Sequence, residues 1–405
     1  MPLTNPAPWQ RTAAGAGLLD AAGSVAPTIF AEMSGLAART GAINLGQGFP
    51  DEDGPASVLE AARQAIADGV NQYPPGLGMP VLRQAVAAHQ ARWYGLSVDP
   101  DREVLVTAGA TEALAATILA FVEPGDEVVV FEPHYDAYAA LVARAGGVLR
   151  TVPLRFPDWQ PDLDELRAAV TNRTRLILVN TPHNPTGRMF SDAVLTTVVD
   201  LATRFDALIV TDEVYEHLTW ARPHQPIAAL PGAWERTLTI SSGGKTFSTT
   251  GWKVGWLVAP AALVTAVTAV KQFLTYVNAA PFQPAIAHGL GLPDDVFAAA
   301  AATLQAKYTV LASGLSTAGF TLSTPDAGYF VVVDAAPLGV TDAGAFCRAL
   351  PELVGVAAVP VTAFVARERQ AAVATLVRFA FCKRRDVLAE ASGRLAGLAA
   401  ALGRG

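Results

Sequence analysis

Six apolar runs of strand length, most of them separated by helix-length segments, are the feature of this sequence that most constrains its fold. They are EVLVTA (103–108), EVVVFEP (127–133), RLILVNTP (175–182), ALIVTDE (207–213), TLTISS (237–242) and VGWLVAP (254–260). Near-continuous apolar strands that alternate with helices are typical of a mostly parallel sheet covered on both faces. Such sheets bind ligands where their strands end, so the residues just after each run are the candidate site residues.

The segments on either side of these runs have a different character. Residues 1–50 contain the helix-like TIFAEMSGLAAR and then a Gly/Pro-rich stretch, and beyond about residue 290 helices alternate with the short apolar runs YFVVVD, VGVAAVP and LVRFAFC. A chain of 405 residues is long enough for two domains. We therefore predict a large domain of residues 51–290 and a small α+β domain formed by residues 1–50 and 291–405.

Charge and composition argue against several classes of protein. The net charge is −7 and the longest basic patch is residues 383–385, so a nucleic-acid partner is not expected. The apolar stretches 261–270 and 296–304 are too short to cross a membrane, and the first residues lack the pattern of a signal peptide. Cys347, Cys382 and the six histidines show neither a disulfide framework nor metal-ligand spacing. These features predict a cytoplasmic protein without a metal.

The segment SSGGKTFSTTGWKVGW (241–256) directly follows a predicted strand. Lys245 lies in its Gly/Ser/Thr-rich part, where an amine shielded from water can attack a carbonyl. Ser242 and Lys253 would supply a hydroxyl and a cation of the kind that hold a phosphate. Taken alone, the segment is equally compatible with an exposed turn that carries two solvated lysines.

Three other strand ends carry polar groups. Asp212 ends an apolar strand, where a carboxylate is costly unless paired, and a protonated pyridinium nitrogen would be a suitable partner. Tyr215 and Asn184 could each donate a hydrogen bond to a phenolate oxygen of the same ligand. Thr111 lies at a strand-to-helix junction, TAGATEAL, that predicts an anion site. Singly, a helix cap, an Asn-Pro turn and a Gly-containing turn explain these segments as well.

Together, the motifs TAGAT, EPHYDAY, NTPHNPTG, TDEVYE, SSGGK and GWKVGW, each at a strand end, resemble those of the fold-type I, class I/II aminotransferases, which use pyridoxal 5′-phosphate (PLP). The resemblance runs from INLGQGFPDEDGP to RFAFCKR and is closest to the branch of kynurenine/glutamine, methionine and N-succinyldiaminopimelate aminotransferases. It implies an α/β fold whose large domain has a central, mostly parallel sheet of seven strands, accompanied by a small α+β domain.

The resemblance also implies catalytic roles. Lys245 would carry PLP as a Schiff base and move the proton between substrate and cofactor, and Asp212 would keep the pyridine nitrogen protonated. Tyr215 and Asn184 would contact the 3′-oxygen of the cofactor. Tyr135 would stack on the pyridine ring.

The remaining implied contacts concern the phosphate, the substrate and a second subunit. Ala110, Thr111, Ser242 and Lys253 would surround the phosphate; many relatives have arginine where Lys253 stands, and lysine is the less directional donor. Arg378, together with Gly46 and Asn184, would bind the substrate α-carboxylate, and an arginine in so apolar a strand is hard to explain by structure alone. Tyr73 would reach the phosphate site of a neighbouring subunit, which implies a homodimer. His134 and His183 are further possible cleft residues.

The expected reaction is a ping-pong transfer of an amino group from an amino acid to a 2-oxo acid, with 2-oxoglutarate as the expected acceptor. N-succinyldiaminopimelate is the specific donor that the segments VNQYPPGLG and GQGFPDEDGP favour. A broad kynurenine/glutamine/methionine aminotransferase with C–S lyase side activity is the alternative, as is a PLP enzyme of secondary metabolism that catalyses decarboxylation, elimination or oxidation. A PLP-binding regulatory domain is a further alternative, which no helix-turn-helix segment supports.

Overall fold

The computed structural model describes residues 7–20 and 22–403. The strands are β1 (Ile43–Asn44), β2 (Val104–Thr107), β3 (Glu127–Glu132), β4 (Val148–Pro153), β5 (Thr174–Asn180), β6 (Leu208–Asp212), β7 (Thr237–Ser242), β8 (Gly255–Val258), β9 (Thr321–Leu322), β10 (Phe330–Asp334), β11 (Val356–Ala357), β12 (Val359–Pro360) and β13 (Leu376–Ala380). The α-helices are α1 (Pro8–Gly15), α2 (Ile29–Thr40), α3 (Ala56–Ala67), α4 (Pro80–Tyr94), α5 (Ala110–Phe121), α6 (Asp136–Ala145), α7 (Leu163–Ala169), α8 (Asp192–Arg204), α9 (Gly243–Thr246), α10 (Ala261–Lys271), α11 (Phe282–Leu290), α12 (Asp294–Thr317), α13 (Ala343–Val354), α14 (Arg385–Ala396) and α15 (Leu398–Ala401).

The central sheet has seven strands in the order β2-β8-β7-β6-β5-β3-β4. The neighbours from β7 to β4 are parallel, and β8 runs antiparallel to both β7 and β2. The expected mostly parallel, seven-stranded sheet is therefore confirmed. The six apolar runs correspond to six of its strands. The seventh, β4, is an edge strand whose first four residues alternate between exposed and half-buried, so it lacks a continuous apolar run.

Helices cover both faces of this sheet. Because side chains alternate along a strand, Val129, Ile177 and Ile209 point to the face that α8 covers, where they pack with Val194 and Val198. Their neighbours Val128, Val130, Leu176, Leu178 and Val210 point to the opposite face and pack with residues of α5, α6 and α10. This two-sided burial explains why the strands read as unbroken apolar runs.

A second, four-stranded antiparallel sheet, β12-β13-β10-β9, packs with α12, α13 and α14 in another apolar core. Beside it, β1 pairs in parallel with β11, which places Ile43 opposite Val356. Residues from both ends of the chain therefore contribute to this layer, which we call the small layer. The seven-stranded sheet and the helices that cover it form the large layer. Helix α1, in contrast, lies against α6 of the large layer: a β-carbon at Gly15 would be 2.6 Å from the Ala139 carbonyl oxygen. The domain boundaries at residues 50 and 290 remain a prediction.

Within the part of the chain that the structure describes, no helix combines the length and the apolar character needed to cross a bilayer.

Candidate active site

A cavity of about 240 Å³ opens where the strands of the central sheet end. Parallel strands end at one edge of a sheet, so side chains that are far apart in sequence meet there. The cavity is lined by these residues that the sequence predicts: Ala110, Thr111, Tyr135, Asn184, Asp212, Tyr215, Ser242, Lys245 and Lys253.

One corner of the cavity is suited to an anion. Helix α5 begins here, and the residue before it, Gly109, has φ 76°, a conformation that glycine adopts without strain. A β-carbon at Gly109 would lie 3.0 Å from Lys253 Nζ, so the missing side chain leaves room for the ammonium group. Lys253 itself is held in a left-handed conformation (φ 54°), and its carbonyl accepts a hydrogen bond from Asn278 Nδ2 at 3.1 Å. A lysine ammonium and a helix N-terminus therefore converge on one point.

Asp212, the last residue of β6, is a buried carboxylate whose two oxygens differ in their hydrogen bonding. Tyr138 Oη donates to its Oδ2 at 2.7 Å, while its Oδ1 is buried without a hydrogen-bond partner among the described residues. Burial raises the pKa of Asp212, and the hydrogen bond from Tyr138 opposes that rise. Because Asp212 lines the cavity, its carboxylate is suited to a ligand that brings a cationic N–H group.

Lys245 lies in the short helix α9 and points its amine between two tyrosine rings. Its Nζ is 5.9 Å from the ring centre of Tyr215 and 5.5 Å from that of Tyr329. Burial raises the pKa of Tyr215 well above its ordinary value, so its hydroxyl stays protonated and can donate a hydrogen bond. Tyr329 Oη donates to the carbonyl oxygen of Gly48 at 2.6 Å. The amine, a phenol donor and the Asp212 carboxylate thus border one cavity.

Arg378 is a buried cation in the middle of β13, with only 2% of its surface exposed. Its Nη2 donates to the Gly46 carbonyl oxygen at 2.8 Å, its Nη1 donates to Asn184 Oδ1 at 3.1 Å, and its Nε is buried without a partner. The ring centre of Phe330 is 4.0 Å from the guanidinium carbon. Burial lowers the pKa of Arg378 to about 10, so it remains charged at neutral pH. No carboxylate within residues 7–20 and 22–403 forms an ion pair with it, so its charge is available to an anionic ligand.

Five of the candidate residues do not line this cavity. Gly46 and Arg378 are connected to it through the hydrogen bond from Arg378 to Asn184, and the other three are Tyr73, His134 and His183. Tyr73 is 82% exposed and forms an edge-to-face pair with Tyr276, with the ring centres 5.6 Å apart. His134 and His183 are buried, but neither lines the cavity. Burial lowers the pKa of His183 to about 3, so it is neutral and shares a hydrogen bond with Thr186.

Tyr138 and Asn180 line the cavity but were not among the sequence-predicted residues. Asn180 Nδ2 donates to the Asp212 carbonyl oxygen at 2.8 Å, and its Oδ1 accepts from the Asn184 N–H at 2.7 Å, so it joins two of the predicted residues. The sequence does contain a signal for Tyr138: it follows Tyr135 by three residues at the start of a helix, a spacing that places side chains on one face.

Comparison with known proteins gives consistent results. A family model for the class I and II aminotransferases matches residues 40–394. The chain is 52% identical over 384 residues to the probable N-succinyldiaminopimelate aminotransferase DapC of Mycobacterium tuberculosis H37Rv, an alignment that covers 92% of this chain and 96% of that protein. It is 38% identical over 369 residues to the methionine aminotransferase of Escherichia coli K12, with 91% and 95% covered.

The fold is also similar to solved structures of this kind. The structure of N-succinyldiaminopimelate aminotransferase from M. tuberculosis matches with a TM-score of 0.89 and 51% identity, covering 92% of this chain and 97% of that one. The structure of the E. coli methionine aminotransferase YbdL matches with a TM-score of 0.90 and 36% identity, covering 98% and 100%. Both the predicted fold type and the predicted branch are confirmed.

Proposed function

The chain belongs to the class I and II aminotransferase family, and on this premise we propose that it transfers the amino group of N-succinyldiaminopimelate to a 2-oxo acid, 2-oxoglutarate, with PLP as its cofactor. Aminotransferase activity and the use of PLP follow from the family. One observation supports this choice of substrate. The probable N-succinyldiaminopimelate aminotransferase of M. tuberculosis is identical to the chain at about half of the aligned residues, whereas the E. coli methionine aminotransferase is identical at little more than a third.

The residues around the cavity suit PLP in charge and in hydrogen-bonding capacity. The free Oδ1 of Asp212 matches a protonated pyridine nitrogen, which would satisfy a buried oxygen that otherwise has no partner. Lys253, Ser242 and the first N–H groups of α5 suit a phosphate, because a helix N-terminus and an ammonium both attract negative charge. Tyr215 and Asn184 would contact the 3′-oxygen, and Tyr135 would lie against the ring.

When bound, PLP supplies an electron sink that makes the Cα–H bond of an amino acid easier to break. In this proposal Asp212 holds the proton on the pyridine nitrogen, which maintains that electron demand. Lys245 Nζ is the base that takes the proton from the substrate Cα and later returns one. The hydrogen bond from Tyr138 fixes the Asp212 carboxylate in place, so its free oxygen needs no reorganisation during the reaction.

Arg378 would bind the α-carboxylate of both the amino donor and the 2-oxo acceptor. Its guanidinium is charged and buried, forms no ion pair with a carboxylate of the described residues, and is oriented by the side-chain oxygen of Asn184. A guanidinium can hold a carboxylate by two parallel hydrogen bonds, which fixes the position of the substrate Cα as well as its charge.

The cofactor assignment is tested by the visible spectrum of the purified protein. We expect the absorbance of lysine-bound PLP in the wild type and its loss in Lys245→Ala, in which PLP can bind only non-covalently. Lys271 and Lys383 are buried and make poor controls, so the exposed Arg384→Ala serves instead and should keep the absorbance. The same lysine-bound absorbance in Lys245→Ala would disprove the assignment.

The substrate is tested by single-turnover reaction of the PLP-loaded enzyme with separate donors. We expect conversion to the pyridoxamine form to be fastest, in kcat/KM, with N-succinyldiaminopimelate, and slower with methionine, kynurenine and glutamine. A higher kcat/KM with methionine or kynurenine would favour the broad-specificity alternative. Ammonia release without a 2-oxo acid acceptor would indicate elimination instead.

We also propose that the protein is a homodimer in which Tyr73 completes the phosphate site of the other subunit. A largely exposed tyrosine beside the exposed Phe273 and Tyr276 suits a surface that a second copy covers. Mixing unfolded Lys245→Ala and Tyr73→Phe chains and refolding them tests this. Each hybrid dimer would contain one complete site, so about one quarter of the wild-type activity should return. If Tyr73 served its own subunit, mixing would restore none.

A further inference from the structure

Two histidines and a glutamate form a buried cluster behind the candidate active site. His89 is in α4, and Glu216 and His217 follow β6; their exposed fractions are 2%, 4% and 8%. One ligand atom from each, a ring nitrogen or a carboxylate oxygen, lies within 4.8 Å of the other two. In the described part of the chain it is the one group of three or more His, Cys, Asp or Glu residues that is this compact.

The two imidazole rings approach each other through their Nε2 atoms. His89 Nε2 and His217 Nε2 are 2.5 Å apart, and the ring planes are inclined by 78°. Only one hydrogen fits between two nitrogens at this distance, so at least one Nε2 carries a bare lone pair. A metal ion bound to both Nε2 atoms would take the place of that hydrogen, and each neutral ring would then carry its hydrogen on Nδ1.

The glutamate is held in position by two hydroxyl groups. Tyr94 Oη donates to Glu216 Oε2 at 2.5 Å, and Ser241 Oγ donates to Oε1. Each carboxylate oxygen keeps a second lone pair for another partner. The ring centres of Trp93 and Phe297 lie 4.9 Å and 4.4 Å from the ring centre of His217, and these two rings restrict the rotation of the histidine. Donors of this kind orient the ligands of metal sites.

We propose that His89, His217 and Glu216 bind one divalent transition-metal ion of the zinc class. Two imidazole nitrogens and one carboxylate are ligands typical of Zn²⁺, Ni²⁺ and Cu²⁺, whereas Ca²⁺ and Mg²⁺ prefer sites made of oxygen. Tetrahedral Zn²⁺ with Zn–N bonds of about 2.0–2.1 Å places two ring nitrogens about 3.3 Å apart. The rings therefore have to separate by less than about 1 Å, which small side-chain rotations provide.

A cavity gives the ion a route to this cluster. His217 lines a second cavity of about 370 Å³, together with Lys245, Glu52 and Lys307. A water molecule from this cavity would be the fourth ligand, as at zinc sites with three protein ligands. Spacing along the sequence gives no indication of this site, because 128 residues separate His89 from His217.

The metal would connect two parts of the fold that carry the candidate active site. It joins α4 to the segment that contains Asp212 and Tyr215, and Glu216 is hydrogen-bonded to Ser241, the neighbour of Ser242. A ligand that binds the folded chain and not the unfolded chain raises the unfolding temperature. We therefore expect Zn²⁺ to stabilise this region.

Equilibrium dialysis of the untagged, PLP-loaded enzyme against Zn²⁺, followed by elemental analysis, tests the proposal. The wild type should retain about one Zn²⁺ per chain and gain unfolding temperature, and Co²⁺ in its place should give visible d–d absorbance. His89→Phe keeps an aromatic ring against Tyr94 and should weaken Zn²⁺ binding at least about 100-fold. The exposed His288→Asn is the control and should bind as the wild type does.

His217→Asn provides a second variant in case His89→Phe does not fold, as judged by cofactor absorbance and circular dichroism. It should likewise lose the Co²⁺ absorbance. The proposal is overturned if the wild type retains no Zn²⁺, or if a folded His89→Phe or His217→Asn retains as much as the wild type. Neither result bears on the aminotransferase assignment, which the spectrum of Lys245→Ala tests separately.

Discussion

Replacing Tyr138 by phenylalanine should change the pH range in which the enzyme works. Within residues 7–20 and 22–403, Tyr138 is the only side chain that donates a hydrogen bond to the Asp212 carboxylate, at 2.7 Å. The substitution removes one oxygen atom and keeps the ring, which packs edge-on against Tyr135 at 5.7 Å between ring centres. It therefore isolates the hydrogen bond from the packing.

The size of the effect follows from the environment of the carboxylate. Burial already raises the pKa of Asp212, and the Tyr138 hydroxyl opposes this because it stabilises the ionised form. A hydrogen bond to a charged group contributes about 1.5–3 kcal/mol, and about 1.4 kcal/mol corresponds to one pH unit. Without the hydroxyl, the pKa of Asp212 should rise by about 1–2 pH units. The acidic limb of the activity profile should move upward by the same amount, and kcat near that limb should fall about 10- to 100-fold.

The assay is kcat/KM for one amino donor as a function of pH, together with the visible spectrum of the cofactor over the same range. Tyr308→Phe is the matched control, because Tyr308 packs against Phe381 and, among the described residues, forms no hydrogen bond with Asp212. That control should leave the acidic limb where it is. An unchanged limb in a folded, PLP-loaded Tyr138→Phe enzyme would refute the reasoning.

Three further predictions concern substrate binding, cofactor binding and stability. Arg378→Lys keeps the charge but loses the bidentate hydrogen-bond donor, so kcat/KM for amino acids should fall about 100-fold while the cofactor spectrum stays the same. An equal loss of kcat/KM with an amine that has no carboxylate would contradict this. Lys253→Ala removes the cation beside the N-terminus of α5, so the dissociation constant of PLP, measured by dialysis, should rise about 10- to 100-fold; an unaltered constant would show that Lys253 does not contact the phosphate. Burial alone would raise the pKa of Glu127, but hydrogen bonds from Thr171 and Arg150 outweigh it, so the pKa lies below its ordinary value and stability is lost as the pH falls through that lowered value. Glu127→Gln should therefore lower Tm by about 1–3 °C at pH 7 and by progressively less as the pH falls through that lowered value, as measured by thermal unfolding over a series of pH values; an equal decrease at every pH would argue for a purely steric effect.

The sequence predicts the central sheet and the cavity residues well for a single physical reason. Strands buried on both faces are largely apolar, so a charged residue at the end of such a strand, such as Asp212, stands out. The loop around Lys245 is by itself equally compatible with an exposed turn, and only the accompanying motifs indicate that this lysine binds the cofactor. The cavity now brings it together with Asp212, Tyr215 and Lys253.

Contacts between distant segments were not predictable in the same way. Tyr138 reaches Asp212 over a separation of 74 residues, and its spacing from Tyr135 indicates a shared helix face but not the carboxylate that its hydroxyl contacts. His89 lies in α4, and nothing in that helix indicates a histidine 128 residues away. The edge strand β4 was missed because an edge strand needs no continuous apolar run.

The parallel pairing of β1 with β11 has a consequence for how the protein forms during synthesis. Ile43 emerges from the ribosome roughly 310 residues before Val356, its partner. At about 5–20 residues per second, the N-terminal strand waits on the order of 15–60 s before it can pair. During that interval Gly46, just beyond β1, also lacks Arg378, whose guanidinium binds its carbonyl in the finished fold. The nascent chain can therefore assemble its central sheet before Arg378 is synthesised, whereas the carboxylate site proposed above can form only after that residue has emerged.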